Sequence, residues 1–530
     1  MEVRGGSTHA APRARIAAGL ALVAALGVAA YGIVKNTRAV GGSDSSCYGL
    51  MAAAFAQGQW QPSFDLAKAA PWPDAARTLA PAGFVPSTVR DGAASPVCAA
   101  GFSIVLAPFV WLDGRDGIFV VSPLAGAALV WLTFVVARQF AGPAAGVASA
   151  FVVATIPVLL FQVVQPMNDV LVAAIWMAVI AAAALPEPSR AWVLGGLTGL
   201  AVLIRPNLAP SAVVVAGWLA AVTIRQHGRT KMLVRTALGF ALASAPFVAL
   251  LLVLNAVLYG HPLQSGYGQL GELFASENIS VNASHYAAAL WETQLAFPLI
   301  GVLALVVAPR HTGPAIWLAG LVSASIAVVY LFYRPFPEWW YLRFFLPSLA
   351  IMTALACATV AWVLAKVTDR RSTAAAVAVM VVAIAISGVQ VRVARERRVA
   401  DLQRLERRFR TTGEVVRERL PSNAVFIAVW QSGTLRYHAS REAILWDAMA
   451  PDSLDRAIDW LNARGLEPFL LLEDWEGPLF RERFRGRSAM GELDWPPRFE
   501  IERQVRIYRP ADRSLFHGGG QIPTEFVMPR

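Results

Sequence analysis

SPVCAAGFSIVLAPFVWLDGRDG, residues 95–117, decides how the chain is laid out. Its apolar run, 97–112, is shorter than the roughly 20 residues that a helix needs to cross a bilayer. Pro96 bounds it on one side and Asp113, Arg115 and Asp116 on the other. It therefore reads as a helix lying at the interface, or partly entering it, without crossing.

The surrounding sequence supplies the spans. Apolar runs near 16–35, 117–137, 144–164, 170–185, 191–204, 208–224, 236–258, 288–308, 314–333, 344–365 and 372–391 predict about eleven transmembrane helices. With 97–112 not crossing and the N-terminus in the cytoplasm, the inside connections carry Arg138, Arg190, Arg225, Arg229, Lys231, Arg235, Arg310, Lys366, Arg370 and Arg371. After the first long loop, the outside connections carry only Arg205, Arg334 and Arg343. Counting 97–112 as a span would move nearly all these cations to the wrong side, so charge supports eleven spans and an extracytoplasmic C-terminus. The Arg-rich segment RVARERRVADLQRLERRFR (392–410) pulls the other way. Its amphipathic pattern predicts a helix along the outer headgroups. The first run follows Arg13 and Arg15 as a signal peptide would, but it is long for an h-region of roughly 7–15 residues, so an uncleaved first span fits better.

Composition agrees with this layout. The 530 residues are 56% hydrophobic and 15% charged, with mean hydropathy +0.51, whereas soluble chains carry about 25% charged residues. The net charge of +11 sits in clusters between apolar runs, as topology signals do, which argues against nucleic acid as the partner. Charge becomes dense after residue 392. The expected organisation is a helical membrane domain over 1–392, with a long extracytoplasmic loop (36–116) carrying juxtamembrane helices, and a soluble extracytoplasmic α/β domain over 393–530. In the latter, Val425–Val429 and Pro468–Leu472 read as strands and Ser453–Arg464 as a helix closing at Gly465. The glycine- and proline-containing tail after Asp512 predicts poor order. Of the three cysteines, Cys47 and Cys98 bracket the long loop; they form a bridge or serve as small apolar residues, and the sequence leaves both open.

This topology brings a set of polar groups to the outer face. GGSDSSCYGLMAAAFAQGQW (41–60) follows the first span directly, placing Asp44 at the surface with Tyr48 one helical turn on. VVQPMND (163–169) places Asp169 there too. Two such carboxylates suit a divalent cation (Mg or Mn), or one suits a general base; alternatively each merely caps the helix that follows. Arg205 in LIRPN and Arg343 in EWWYLRFFLP, with Arg334 nearby, suit a lipid phosphate, or act as snorkelling anchors. Trp339, Trp340 and Tyr341 form an interfacial aromatic belt, with sugar stacking as the minor alternative. The polar stretch 259–287 reads as a lid or substrate loop with Tyr267 and His285 as candidates, although a lone loop histidine is commonly just solvated. Asn278 and Asn282 match the glycosylation sequon by letter. There is no Walker, CxxC or HExxH pattern and no GxGxxG following a strand, which leaves nucleotide-binding and zinc readings without support.

In order along the chain, SDSSCYGLMAAAFAQGQW, SPVCAAGFSIVLAPFVWLDG, QPMND, GLTGLAVLIRPN, NAVLYGHPLQSGYG and WWYLRFFLP resemble the GT-C superfamily of membrane glycosyltransferases. The nearest likeness is to the family-39-like members of the protein O-mannosyltransferase and aminoarabinose-transferase type. The resemblance covers roughly 16–391. It implies a catalytic carboxylate on the first outer loop, carried onto Asp44, and an acidic position on the second, carried onto Asp169. It also implies a polyprenyl-phosphate sugar donor, an acceptor hydroxyl on a lipid, glycan or protein, and inversion at the anomeric centre. Arg343 or Arg205 would then stabilise the departing phosphate, in a multi-pass protein of the bacterial inner membrane. Asp44 is flanked by Ser43 and Ser45 where relatives often pair two acids, and Ser95-Pro96 stands where they often carry a lysine, which puts metal dependence and the phosphate ligand in doubt. A transporter or lipid flippase is the alternative from another class. Transporters tend to place ionisable groups near the midplane, whereas these candidates gather at one surface; an assembly protein working through its C-terminal domain is a third reading.

Overall fold

The structure is a computed structural model describing residues 10–228, 231–268, 270–309, 312–367 and 372–528; Arg229, Arg310, Arg370 and Arg371 of the inside clusters lie outside the described residues. The chain is mostly helical and divides into two compact units. The first comprises 1–36, 119–251 and 269–402, the second 37–118, 252–268 and 403–530.

In the first unit, each of the apolar runs read from the sequence is helical over most of its length. Among the described residues, seven helical stretches of the chain are long and apolar enough to cross a bilayer, and the bent pair Asn278–Gln294 and Phe297–Val307 makes eight if it is one span. Asn168–Ala182 and Ser189–Ile204 are shorter. At 1.5 Å per residue a helix of about 15 residues covers only ~22 Å of the ~30 Å hydrocarbon core. The breaks have local causes. Gly142 takes φ +85°, and a Cβ on Gly146 would lie 2.9 Å from the Phe134 carbonyl oxygen, so the helix after the break folds back on the one before it. Left-handed Leu295 and Ala296 bend the next pair by 106°. Leu242 on one helix and Ile384 on another stay 57% and 67% exposed, an apolar surface that lipid solvates and water does not.

The second unit is built on a six-stranded sheet. Its strands are β3 (Ala424–Ile427), β4 (Ala443–Ile444), β5 (Glu467–Glu473), β6 (Phe499–Ile501), β7 (Val505–Tyr508) and β8 (Glu525–Val527), in the order β4-β3-β5-β7-β6-β8. A separate hairpin, β1 (Phe84–Pro86) with β2 (Ala94–Pro96), lies in the long first loop. The continuous apolar runs of β3 and β5 suit parallel strands covered on both faces. Val425, Ile427, Leu470 and Leu472 enter one core with Leu461 and Phe480; Ala424, Phe426, Phe469 and Leu471 enter the other with Val415 and Val416. Trp72 and Leu79 of the long loop join the first core, so that loop is part of this unit's interior.

Several expectations change here. The helix Leu402–Arg419 is amphipathic as read, but its apolar side goes to the sheet through Val415 and Val416 rather than to headgroups, and Phe409 is buried against Gly41. The tail after Asp512 is ordered: Ala511–His517 is helical and β8 pairs in parallel with β6, Phe526 opposite Glu500. Edge pairing supplies backbone partners that local composition does not reveal. The 259–287 stretch is not one loop, because a helix starts at Asn278 and places His285 within it. The side chains of Asn278 and Asn282 are engaged within the fold. Asn282 is buried, and both side chains donate to carbonyls at the end of Ala315–Phe332, which a helix terminus otherwise leaves unpaired.

Cys47 and Cys98 form a disulfide, tying the Gly42–Ala56 helix to the residues just before the Gly101–Asp113 helix. Proteolysis of the denatured, unreduced protein should yield one cross-linked species containing both, with Cys357 alone taking an alkylating label. Labelling of Cys47 or Cys98 before reduction would contradict the bridge.

Candidate active site

Pro166 interrupts the chain before the Asn168–Ala182 helix, and Asp169 is the second residue of that helix. Arg205 ends Ser189–Ile204 because Pro206 follows it, and proline disfavours helical backbone at the preceding residue. These two local stops turn the side chains toward each other. Arg205 Nη1 donates to Asp169 Oδ1 at 2.6 Å, with 8% and 1% of the two residues exposed. Asp169 is therefore the partner of an arginine and not merely a helix cap.

Aromatic rings enclose the pair. The Arg205 guanidinium lies 5.4 Å from the Tyr330 ring centre and 5.1 Å from that of Phe344, and those rings stack at 4.9 Å. Asn207 Nδ2 donates to the Tyr330 hydroxyl at 3.1 Å. Arg343 lies over the other side of the cluster, 5.0 Å from Tyr341 and 5.3 Å from Phe344, and Tyr341 stacks on Phe336 at 4.2 Å. Two guanidinium groups thus share the Phe344 ring. Each ring face contributes about 0.5–2 kcal/mol of cation–π attraction, while a buried ion pair by itself brings little net stability. Charges kept at such cost in a membrane unit mark a functional site by default.

Asp169, Arg205, Arg343 and Tyr341 are thus brought together. His285 is half-buried beside Tyr286, whose ring lies 4.3 Å from Phe345. Asp44, Tyr48 and Tyr267 belong to the second unit. There, Asp44 is half-buried in the first turn of Gly42–Ala56, where the helix N-terminus favours a carboxylate. Tyr48 is buried edge-on against Phe102, and its carbonyl accepts from the Ser103 hydroxyl at 3.1 Å, a packing position between two helices. Tyr267 is 39% exposed. Sequence reasoning passed over Tyr330, Asn207 and Phe344. The signal available was the density of rings in YLFYRPFPEWWYLRFF (330–345) and the asparagine already present in LIRPN.

The donor set does not favour a divalent cation on Asp169. Its carboxylate is already neutralised by Arg205, and among the described residues no three or more His, Cys, Asp or Glu side chains converge.

The ion pair makes a quantitative prediction. Arg205→Met leaves a buried carboxylate without its cation and should lower stability by about 3–5 kcal/mol. Combined with Asp169→Asn, the loss should be clearly smaller than the sum of the single losses, read from thermal unfolding in detergent. Additivity within about 0.5 kcal/mol would show that the two side chains are not coupled.

No protein-family model and no curated protein matches the sequence. Solved structures do. ArnT from Cupriavidus metallidurans bound to undecaprenyl phosphate is 14% identical, with TM-score 0.56 over 88% of this chain and 94% of that one. The Archaeoglobus fulgidus oligosaccharyltransferase in its apo form is 12% identical, with TM-score 0.53 over 90% and 72%. The same archaeal enzyme in complex with Zn and sulfate gives TM-score 0.53 at 12% identity over 90% and 71%. Both proteins are membrane glycosyltransferases of one architecture, and the present chain has that architecture, the GT-C fold.

Proposed function

We propose that the chain is a glycosyltransferase that moves a sugar from a polyprenyl-phosphate donor to an acceptor hydroxyl on the extracytoplasmic face of a bacterial inner membrane. The observation that carries this reading is the pair of arginines, Arg205 and Arg343, gathered on one aromatic cluster within a GT-C fold. The neighbour ArnT binds undecaprenyl phosphate, and a guanidinium matches the geometry of a phosphate group.

In the proposed reaction Asp44 takes the proton from the acceptor hydroxyl. The freed oxygen attacks the anomeric carbon, and the bond from that carbon to the phosphate oxygen breaks with inversion. The polyprenyl phosphate leaves with the bonding electrons, and Arg343 and Arg205 stabilise the charge that develops on it. Asp169 holds Arg205 in place and balances its charge while no donor is bound. Tyr341 and His285 lie on the elements that would border the donor; Tyr267 would meet the acceptor. The Cys47–Cys98 bridge supports an oxidising compartment for the first long loop and hence an N-terminus inside and a C-terminal domain outside.

The test uses native membranes that contain endogenous acceptor, supplied with a labelled polyprenyl-phosphate sugar. Asp44→Asn should slow release of polyprenyl phosphate by about 10²–10⁴-fold, the usual contribution of a general base, and Arg343→Ala should slow it comparably. Wild-type rates in the correctly inserted Asp44→Asn variant would remove Asp44 from the mechanism. Transbilayer movement of the labelled lipid without transfer would favour a flippase instead.

A further inference from the structure

The second unit contains a constellation that the proposed reaction does not use. In its sheet β3 is flanked by β4 on one side and β5 on the other, both parallel to it. The chain runs from β3 to β4 and then across to β5, so the order reverses between β3 and β5. In open α/β sheets, ligands bind outside the carboxyl ends of the strands at such a reversal.

Two tryptophans stand at those strand ends. Trp430 follows β3 and Trp475 follows β5; they are 36% and 51% exposed, and their rings meet edge to face at 5.8 Å. Two buried carboxylates fix them. Glu476 accepts from the backbone N–H of Trp430 at 3.1 Å and of Glu473 at 2.9 Å, joining the two strand ends. Glu473 accepts from Trp475 Nε1 at 3.3 Å and from Gln431 Nε2 at 2.8 Å, and Arg408 supplies its counter-charge at 3.1 Å. Gln431 is fully buried, and its Oε1 has no hydrogen-bond partner among the described residues. Burial, with Glu473 and Asp447 nearby, outweighs the two backbone donors and pushes the Glu476 carboxyl up to about 7.

This arrangement selects a class of ligand. Half-exposed indoles, one held at its Nε1 by buried Glu473 and the other at its backbone by buried Glu476, form a preorganised apolar platform. Arg408 is already paired with Glu473, which disfavours phosphate or nucleotide, while the exposed indole faces suit an apolar ring surface. A sugar ring presents an apolar C–H face and a rim of hydroxyls. The platform also adjoins the proposed base, since a Cβ on Gly42 would lie 3.4 Å from the Trp430 ring and Asp44 is two residues on. We propose that the exposed tryptophan pair at the ends of β3 and β5 is an acceptor subsite that binds an uncharged sugar ring on Trp430 and Trp475. This rests on the transferase reading for the ligand's role as acceptor, but not for its binding.

The experiment is saturation-transfer NMR on the full-length protein in detergent, with methyl mannoside, methyl glucoside and methyl galactoside as probes. At least one should bind the wild type, bind about tenfold more weakly to Trp475→Ala, and recover with Trp475→Phe. No binding of any probe to the wild type, or unchanged binding to both Trp430→Ala and Trp475→Ala, would overturn the subsite; so would displacement of the bound sugar by inorganic phosphate. Sugar binding in a wild type that performs no transfer would sink the proposed reaction and leave the subsite standing.

Discussion

Close backbone approach to the Gly42–Ala56 helix is the constraint on which the second unit depends. A Cβ on Gly41 would lie 2.4 Å from the Phe409 ring, and one on Gly433 would lie 2.0 Å from the Ser46 hydroxyl. Gly83 presses on the Ser43 carbonyl, and Gly49 meets the ring of Tyr437. Gly41, Ser46 and Gly49 of GGSDSSCYG therefore have a steric reason to be small, independent of any catalytic one: larger side chains would press on Phe409, Gly433 and Tyr437. Asp44 is the one acid in that run. A carboxylate placed where its neighbours cannot move is well suited to positional chemistry.

The first unit solves a different problem, that of keeping two arginines where water is scarce. One is neutralised by Asp169, and both are laid across aromatic faces whose quadrupoles favour cations. The short helices Asn168–Ala182 and Ser189–Ile204 contribute through their ends, Asp169 in the first turn of one and Arg205 just past the last turn of the other, where Pro206 follows. Helix length and site construction are thus linked.

Sequence patterns revealed local elements well and tertiary consumption poorly. β3, β5 and Leu454–Ala463 lie within a residue or two of their predicted bounds, because buried parallel strands read as continuous apolar runs and Ser453 and Gly465 punctuate the helix. The pairing of Asp169 with Arg205 was not legible, since nothing local links residues so far apart in sequence. The amphipathic Leu402–Arg419 helix was legible as a helix, but its pattern does not say whether lipid or a sheet covers it. Asn282 shows the same limit: its sequon is three letters long, whereas its role depends on where another helix ends.

The packing around Gly41–Gly49 has a kinetic side. The side chains and turns that hold this segment, from Phe409 to Tyr437, are encoded nearly four hundred residues later. During synthesis the early helices can enter the bilayer as they emerge, but the helix carrying Asp44 must wait for residues 409–437 to acquire its walls. A product stopped before residue 409 would therefore contain an incomplete second unit, in which the Asp44 carboxylate lacks its fixed surroundings.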